Sequence, residues 1–368
     1  MLGFLIVAFF IYGSMHLYAF AKLWQVLPHS WWLGLSLLAV GLLLTFLPLL
    51  LWQITRLNWH GAAALTSWVS YVWMGYLFLF CSTALLFDIA HVLAVFAGMR
   101  WPLGDAASLL AVGLLSLALL GYGSFEARHI RIAQVIVTTS KLPATVGHVT
   151  IAQISDLHLG AMLNDEFLDR VIAGLREAKP DIVVATGDIV DGQGDHLDAL
   201  ASRLHALQPP MGAYAVIGNH ETHVGLDRSL DFLRSAGFTV LRGEAAHVGG
   251  IVLVGVDDPS AAMTGQGVRL DTAHLLATVP KGSFVVLLKH QPVVDNGIPF
   301  DLQLSGHIHG GQIFPFGLLT QLTYHVHTGL TQLAGGSKLY VSRGTGTWGP
   351  PIRLFAPPEI ALIRIERE

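Results

Sequence analysis

Two histidines one residue apart, His307 and His309, sit in the stretch Ser305-Gly306-His307-Ile308-His309-Gly310-Gly311-Gln312. On an extended chain, residues i and i+2 point to the same side. Both imidazoles can then reach one centre, and the flanking glycines permit the backbone angles of a tight loop. Neutral imidazole is a common ligand for zinc, manganese and iron. A pair of loop histidines is also what an ordinary polar surface would show, so the rest of the chain decides. Four more clusters of carboxylate, amide and imidazole residues lie upstream: Asp156-Leu157-His158, Gly187-Asp188-Ile189-Val190-Asp191, Gly218-Asn219-His220-Glu221 and Lys289-His290. A single Gly-Asp turn is usually only a turn. Five such clusters, all of metal-binding residue types, point to a metal site.

Each cluster follows a short apolar run. Val149–Ile154, Ile182–Thr186, Ala213–Ile217, Phe284–Leu288 and the alternating Phe300–Leu304 read as strands, the second being nearly continuous and β-branched, as in a buried strand. Further strands are expected at Ile251–Val256, Leu339–Ser342 and Ile360–Ile365. Helices are expected over Glu166–Ala178, where Phe167, Val171 and Leu175 share a face, and over Leu197–Leu207 and Leu226–Ser235. Helix alternation gives way to a strand-rich second half. This predicts an α/β domain built as a two-sheet β sandwich flanked by helices, with ligands at the C-terminal ends of strands.

The order Asp-x-His, Gly-Asp-x-x-Asp, Gly-Asn-His-Glu, His, Gly-His-x-His, complete from Asp156 to His309, resembles the calcineurin-like metallophosphoesterase superfamily. The continuation Gly310-Gly311-Gln312-Ile313-Phe314-Pro315, and the tail from Val341-Ser342-Arg343-Gly344 to Pro358-Glu359-Ile360, resemble its bacterial membrane-linked branch, similar to the YkuE type. The resemblance covers about residues 146–366. It implies two divalent ions clamping an in-line displacement at phosphorus, with a metal-activated water as nucleophile. By motif position, Asp156, His158 and His309 would bind the first ion, Asn219, His290 and His307 the second, and Asp188 both. The set is mixed nitrogen and oxygen without thiolate, which suits manganese, iron or zinc more than calcium. His220 would assist the leaving oxygen and Asp191 would hold its ring. Glu221 reads as a cap of the following turn.

The N-terminal third has another character. The chain of 368 residues is 53% hydrophobic and 12% charged, with mean hydropathy +0.57, too apolar for one water-soluble domain. The excess lies before residue 125, where the charged side chains are Lys22, Arg56, Asp88, Arg100 and Asp105. Leu2–Leu23, Trp31–Gln53, Leu65–Phe87 (extensible to Phe96) and Ala106–Tyr122 could each cross a bilayer, which takes about 20 residues. The first run lacks a basic leader and an evident cleavage site, so a retained helix is expected. Trp24, Trp31, Trp32, Trp52, Trp59 and Trp101 fall near the ends of these runs, as interfacial tryptophans do. The resulting layout is a transmembrane domain over 1–125, a connector over 126–145 and a phosphoesterase domain over 146–368. The β-prone part of the connector could already belong to the phosphoesterase domain.

Arg56, Arg128, Arg131 and Lys141 lie on one side of four spans, against Lys22 and Arg100 on the other. The positive-inside rule then favours a cytoplasmic catalytic domain in a bacterial inner membrane. Asp88 and His91 are three apart and can share a helix face. They are either a functional intramembrane pair or headgroup-level residues of a helix that overshoots the bilayer. Cys81 stands alone, which excludes an intramolecular disulfide and a multi-cysteine metal site.

From residue 145 onward there are 15 Lys+Arg and 22 Asp+Glu, a formal −7 that two divalent ions would about half offset. No basic stripe is present, which argues against a nucleic-acid substrate. Ile313–Leu319 is apolar for a loop beside a charged site, and either receives a lipid head group or packs on the membrane helices. The expected partners are therefore the bilayer and a phosphorylated, lipid-linked substrate with a phosphodiester or pyrophosphate bond. The rival readings are a transporter or sensor regulated by the phosphoesterase domain, and a soluble nucleotide-type substrate. A degenerate binding module is disfavoured by the complete ligand set.

Overall fold

The computed structural model describes residues 2–57, 59–160, 165–191, 197–268, 272–295 and 297–368. Two compact units emerge: Met1–Phe125 with Gly349–Ile352, and Glu126–Trp348 with Arg353–Glu368.

The first unit holds four long helices, α1 (Leu2–Val26), α2 (Trp31–Arg56), α3 (His60–Phe96) and α4 (Asp105–Arg128). Each contains a segment of mean hydropathy 1.4 to 2.4, long enough to cross a bilayer core of about 30 Å. Phe10, Leu43, Leu86 and Leu114 are exposed on these helices, a surface that lipid accepts and water does not. Several polar side chains inside are paired. His16 accepts the Trp73 Nε1–H at Nε2 (2.9 Å) and turns Nδ1 to the Tyr12 carbonyl (2.9 Å), so Nδ1 carries the proton. α3 reaches Phe96, the longer of its two expected ends, and Asp88 and His91 lie in its last turns with different partners. Asp88 accepts from Lys22 Nζ at 2.5 Å and Tyr18 Oη at 2.7 Å, clasping α1 to α3. His91 stacks on Trp101. The Trp52 and Arg56 side chains lie outside the described ones.

The second unit begins with β1 (Arg131–Thr139), β2 (His148–Ile154), α5 (Asp165–Ala178), β3 (Ile182–Thr186), α6 (Leu197–His205), β4 (Ala213–Val216), α7 (Asn219–Val224), α8 (Leu226–Ser235) and β5 (Phe238–Val240). It continues with β6 (Glu244–Val248), β7 (Ile251–Gly255), α9 (Pro259–Met263), α10 (Thr272–Ala277), β8 (Phe284–Leu288), β9 (Leu302–Ser305), α11 (Phe316–Tyr324), β10 (Gly329–Gln332), β11 (Lys338–Val341) and β12 (Glu359–Arg367). These form two six-stranded mixed sheets, ordered β1-β12-β2-β3-β4-β5 and β10-β11-β9-β8-β7-β6.

Strand alternation sorts the apolar residues into layers. Val149, Ile151, Leu253, Val286, Leu288 and Ile363 fill the space between the sheets. Their neighbours Ala152, Ile154 and Ile360 turn outward, against Leu168, Val171 and Leu175 of α5 and Leu204 of α6. On the other outer face, Val252, Val254 and Leu287 meet Leu275 and Leu276 of α10. Each fully buried aliphatic side chain contributes about 1.5–3 kcal/mol. This is the two-sheet α/β architecture expected from the alternation.

One local expectation is met and one changes. The β-prone part of the stretch 126–145, which could already belong to the phosphoesterase domain, lies in strand β1, paired in parallel to β12 from Arg131–Glu359 to Thr139–Arg367. Ile313–Leu319, expected as a loop, is a loop only to Pro315; from Phe316 it is α11. The run Phe-Gly-Leu-Leu-Thr-Gln-Leu-Thr-Tyr after Pro315 contains leucine and glutamine that favour helix, and nothing in its periodicity marks a buried face.

Candidate metal centre

The loops leaving β2, β3, β4, β8 and β9 carry all the candidate residues, so both sheets contribute to one site. Asp156 and His158 follow β2, Asp188 and Asp191 follow β3, and Asn219 and His220 open α7 after β4. His290 follows β8, and His307 and His309 follow β9. The loops are tied by backbone bonds: Asp156 N donates to Gly187 O and His158 N to Asp188 O, each at 3.0 Å. His307 N donates to the Asp156 carboxylate at 3.0 Å, joining a loop of the first sheet to one of the second.

Five of these residues, Asp156, His158, Asp188, His307 and His309, have φ between 50° and 72°. Such left-handed backbone costs a non-glycine residue about 1–3 kcal/mol and clusters at functional sites. Two motif glycines are explained by close approach. A Cβ on Gly218 would stand 2.2 Å from Asp188 Oδ1, and one on Gly306 2.0 Å from Ser155 Oγ.

Among the described residues, the ligand-type atoms gather in three groups, each within 4.8 Å: Asp156, His158 and His309; Asp188, His290 and His307; His158, Asp191 and His220. In the first, His158 Nε2 faces His309 Nε2 at 3.1 Å, and Asp156 Oδ1 lies 3.5 Å from the latter. In the second, His290 Nε2 is 3.1 Å from Asp188 Oδ2, 3.1 Å from His307 Nδ1 and 3.2 Å from Asn219 Oδ1. His290 Nδ1 is directed at the Thr186 carbonyl at 2.7 Å, which leaves Nε2 for the cluster. Lone-pair donors from four residues therefore meet at one small region, an arrangement that a cation satisfies.

Electrostatics point the same way. Burial disfavours charge on Asp188, but the His290, His220 and His158 imidazoles outweigh it and hold its pKa well below the ordinary carboxylate range. Burial would likewise lower His290, yet Asp188 and Asp156 raise it to about 10. The Asp188 carboxylate thus demands positive charge at this spot. Burial and the neighbouring His290 lower His307 to about 4, and burial, His158 and Arg353 lower His309 strongly. Neutral imidazoles with free lone pairs are what metal ligation requires. The residues present fit divalent ions.

The third group differs in kind. Asp191 Oδ1 lies 3.0 Å from His220 Nδ1 and its Oδ2 3.4 Å from His158 Nδ1, so one carboxylate braces two rings. Burial alone would lower the His220 pKa, but Asp191 and the charges of Asp188 and Glu221 raise it to about 9. The exposed Trp348 meets the His220 ring edge to face at 5.7 Å between centroids.

Three residues support the site: Glu221, whose expected capping of the α7 turn is met and extended to the loop after β3, and Arg353 and Tyr324, which sequence reasoning missed. Glu221, fully buried, takes four backbone N–H groups: Gly218 and Asp188 on Oε2, Ile189 and Val190 on Oε1, at 2.7 to 3.1 Å. Burial and the Asp188 charge push its pKa up, and the Val190 and Gly218 N–H groups pull against them. Arg353 is fully buried and donates to the carbonyls of Gly346, Ala356 and His309, with its Nη2 3.3 Å from His309 Nδ1. A lone arginine between prolines and apolar residues was the available signal. Tyr324 meets His307 from the end of α11, with no signal in the sequence.

The sequence profile of the calcineurin-like phosphoesterases matches residues 149–311, which bracket all nine candidate residues. An uncharacterized metallophosphoesterase of Aquifex aeolicus is 41% identical over 253 residues, covering 67% of this chain and 97% of its own length. The uncharacterized metallophosphoesterase YkuE of Bacillus subtilis is 33% identical over 262 residues, covering 67% and 89%. A Danio rerio protein named transmembrane protein with metallophosphoesterase domain is 30% identical over 253 residues, covering 64% of this chain and 57% of that one. The chain belongs to the calcineurin-like metallophosphoesterases. It is a phosphoesterase hydrolase of divalent-metal type, and its four apolar helices make it a membrane protein.

Proposed function

We propose that this enzyme hydrolyses a phosphodiester or pyrophosphate bond in a lipid-linked substrate, with two divalent ions, manganese, iron or zinc. Asp156, His158 and His309 would hold one, Asn219, His290 and His307 the other, and Asp188 would bridge them. The observation that carries this reading is the convergence of Asp188, Asn219 and His307 donor atoms within 3.2 Å of His290 Nε2. Ions bound there supply Lewis acidity to the phosphoryl oxygens and ease deprotonation of water. His220 has a separate task. With its Nδ1–H given to Asp191, its Nε2–H is left to protonate the leaving oxygen, as a positioned general acid.

A lipid-linked substrate is supported by α11 and the loop before it. Phe314, Phe316, Leu318, Leu319 and Leu322 are exposed, and α11 has no charged residue. In a chain anchored by four apolar helices, such a surface suits acyl chains or the headgroup boundary. The balance of basic residues favours a cytoplasmic catalytic side.

The test is turnover by the full chain in lipid nanodiscs with Mn²⁺, on an aryl phosphodiester, an aryl phosphomonoester, a soluble nucleotide and a lipid pyrophosphate. Chelator-sensitive cleavage of the diester and the lipid pyrophosphate is expected. Cleavage of the monoester alone, or of soluble nucleotides in preference to bilayer lipid, overturns the substrate assignment.

A further inference from the structure

We infer that Tyr324 is the positioning residue that orients His307, its hydroxyl oxygen accepting the ring's Nε2–H so that Nδ1 faces the second ion. This rests on the metal-centre reading above. Tyr324 Oη and His307 Nε2 are 2.6 Å apart, and the rings meet edge to face at 5.5 Å. The other nitrogen, Nδ1, lies 3.1 Å from His290 Nε2, inside the donor cluster. An imidazole that ligates through Nδ1 must carry its proton on Nε2, and a proton there needs an acceptor. Tyr324 supplies it.

The tyrosine is itself well seated. Its ring packs against the cluster of Ile308, Leu339 and Val341, so the hydroxyl is held where the imidazole needs it. Yet it is the last residue of α11, none of whose residues is buried. The ligand loop after β9 and the apolar outer helix are thus joined by this hydrogen bond together with the packing of Tyr324 on Ile308. Removing the outer partner of a metal-ligating histidine typically costs about 10–100-fold in metal affinity or activity.

The experiment is Mn²⁺ titration of the full chain in detergent, read by chelator competition and by the spin-coupled signal of a dinuclear manganese centre. Tyr324→Phe keeps the ring packing and removes only the oxygen. It should weaken the second Mn²⁺ by about 10–100-fold, leave the first unchanged and shift the coupled signal to higher Mn²⁺. His307→Ala is the companion variant and should lose the second ion altogether. Unchanged affinities and signal in Tyr324→Phe, with the second ion lost in His307→Ala, overturn the role of Tyr324 alone. If His307→Ala also binds both ions normally, the metal-centre reading itself falls.

Discussion

Glu221 reaches back from the first turn of α7 to take the backbone N–H of Asp188 at 2.9 Å. Its other acceptor sites hold Gly218, Ile189 and Val190, so one side chain fixes both the loop after β3 and the start of α7. The left-handed Asp188 has its φ of 53° held by this grip.

Glu221→Gln should therefore act on stability before chemistry. The amide nitrogen cannot accept, so backbone donors are left buried and unpaired at about 1–3 kcal/mol each. A fall in Tm of roughly 5–15 °C is expected in the metal-free chain, with weaker metal binding. An unchanged melting curve and unchanged metal affinity would show that the four contacts do not organise the loops.

Asp188→Asn should nearly abolish turnover and lower bound metal, because the charge shared by the cluster is lost while the shape is kept. Metal analysis and turnover read it together. Two ions still bound at near-normal rate would remove Asp188 from the bridging position.

His220→Ala should retain both ions and lose mainly kcat, by about 10²–10⁴-fold. The loss should shrink for aryl leaving groups that need little protonation. A Brønsted series over leaving groups decides the matter: an equal loss for good and poor leaving groups makes His220 something other than the acid.

Replacing Phe314, Phe316 and Leu318 together by Ser should depress turnover of bilayer lipid and leave metal content and small aryl diester turnover as they were. Parallel assays on both substrates in nanodiscs check this. Equal turnover of lipid by the triple variant and the natural chain would reduce the apolar surface to packing.

Legibility in the sequence depends on locality. Ligand types at strand ends can be read because each cluster directly follows its own apolar run, as Asp188 follows Ile182–Thr186. What the backbone does there cannot be read, since the positive φ is fixed by distant restraints such as Glu221 on Asp188. Tyr324 and Arg353 act across 17 and 44 positions on His307 and His309, and no local pattern encodes such pairings. α11 reads as loop because its apolar residues face outward, so no amphipathic period betrays the helix.

The placement of β12 has a consequence for synthesis. Glu359–Arg367 pairs with β1 on one side and with β2 on the other, in parallel and antiparallel ladders. A ribosome making this chain releases β1 and β2 long before their shared neighbour exists. At about 5–20 residues per second, both strand edges stay open for tens of seconds. The nascent domain must be shielded for that interval, and a stop codon placed before Glu359 would leave the gap permanently unfilled.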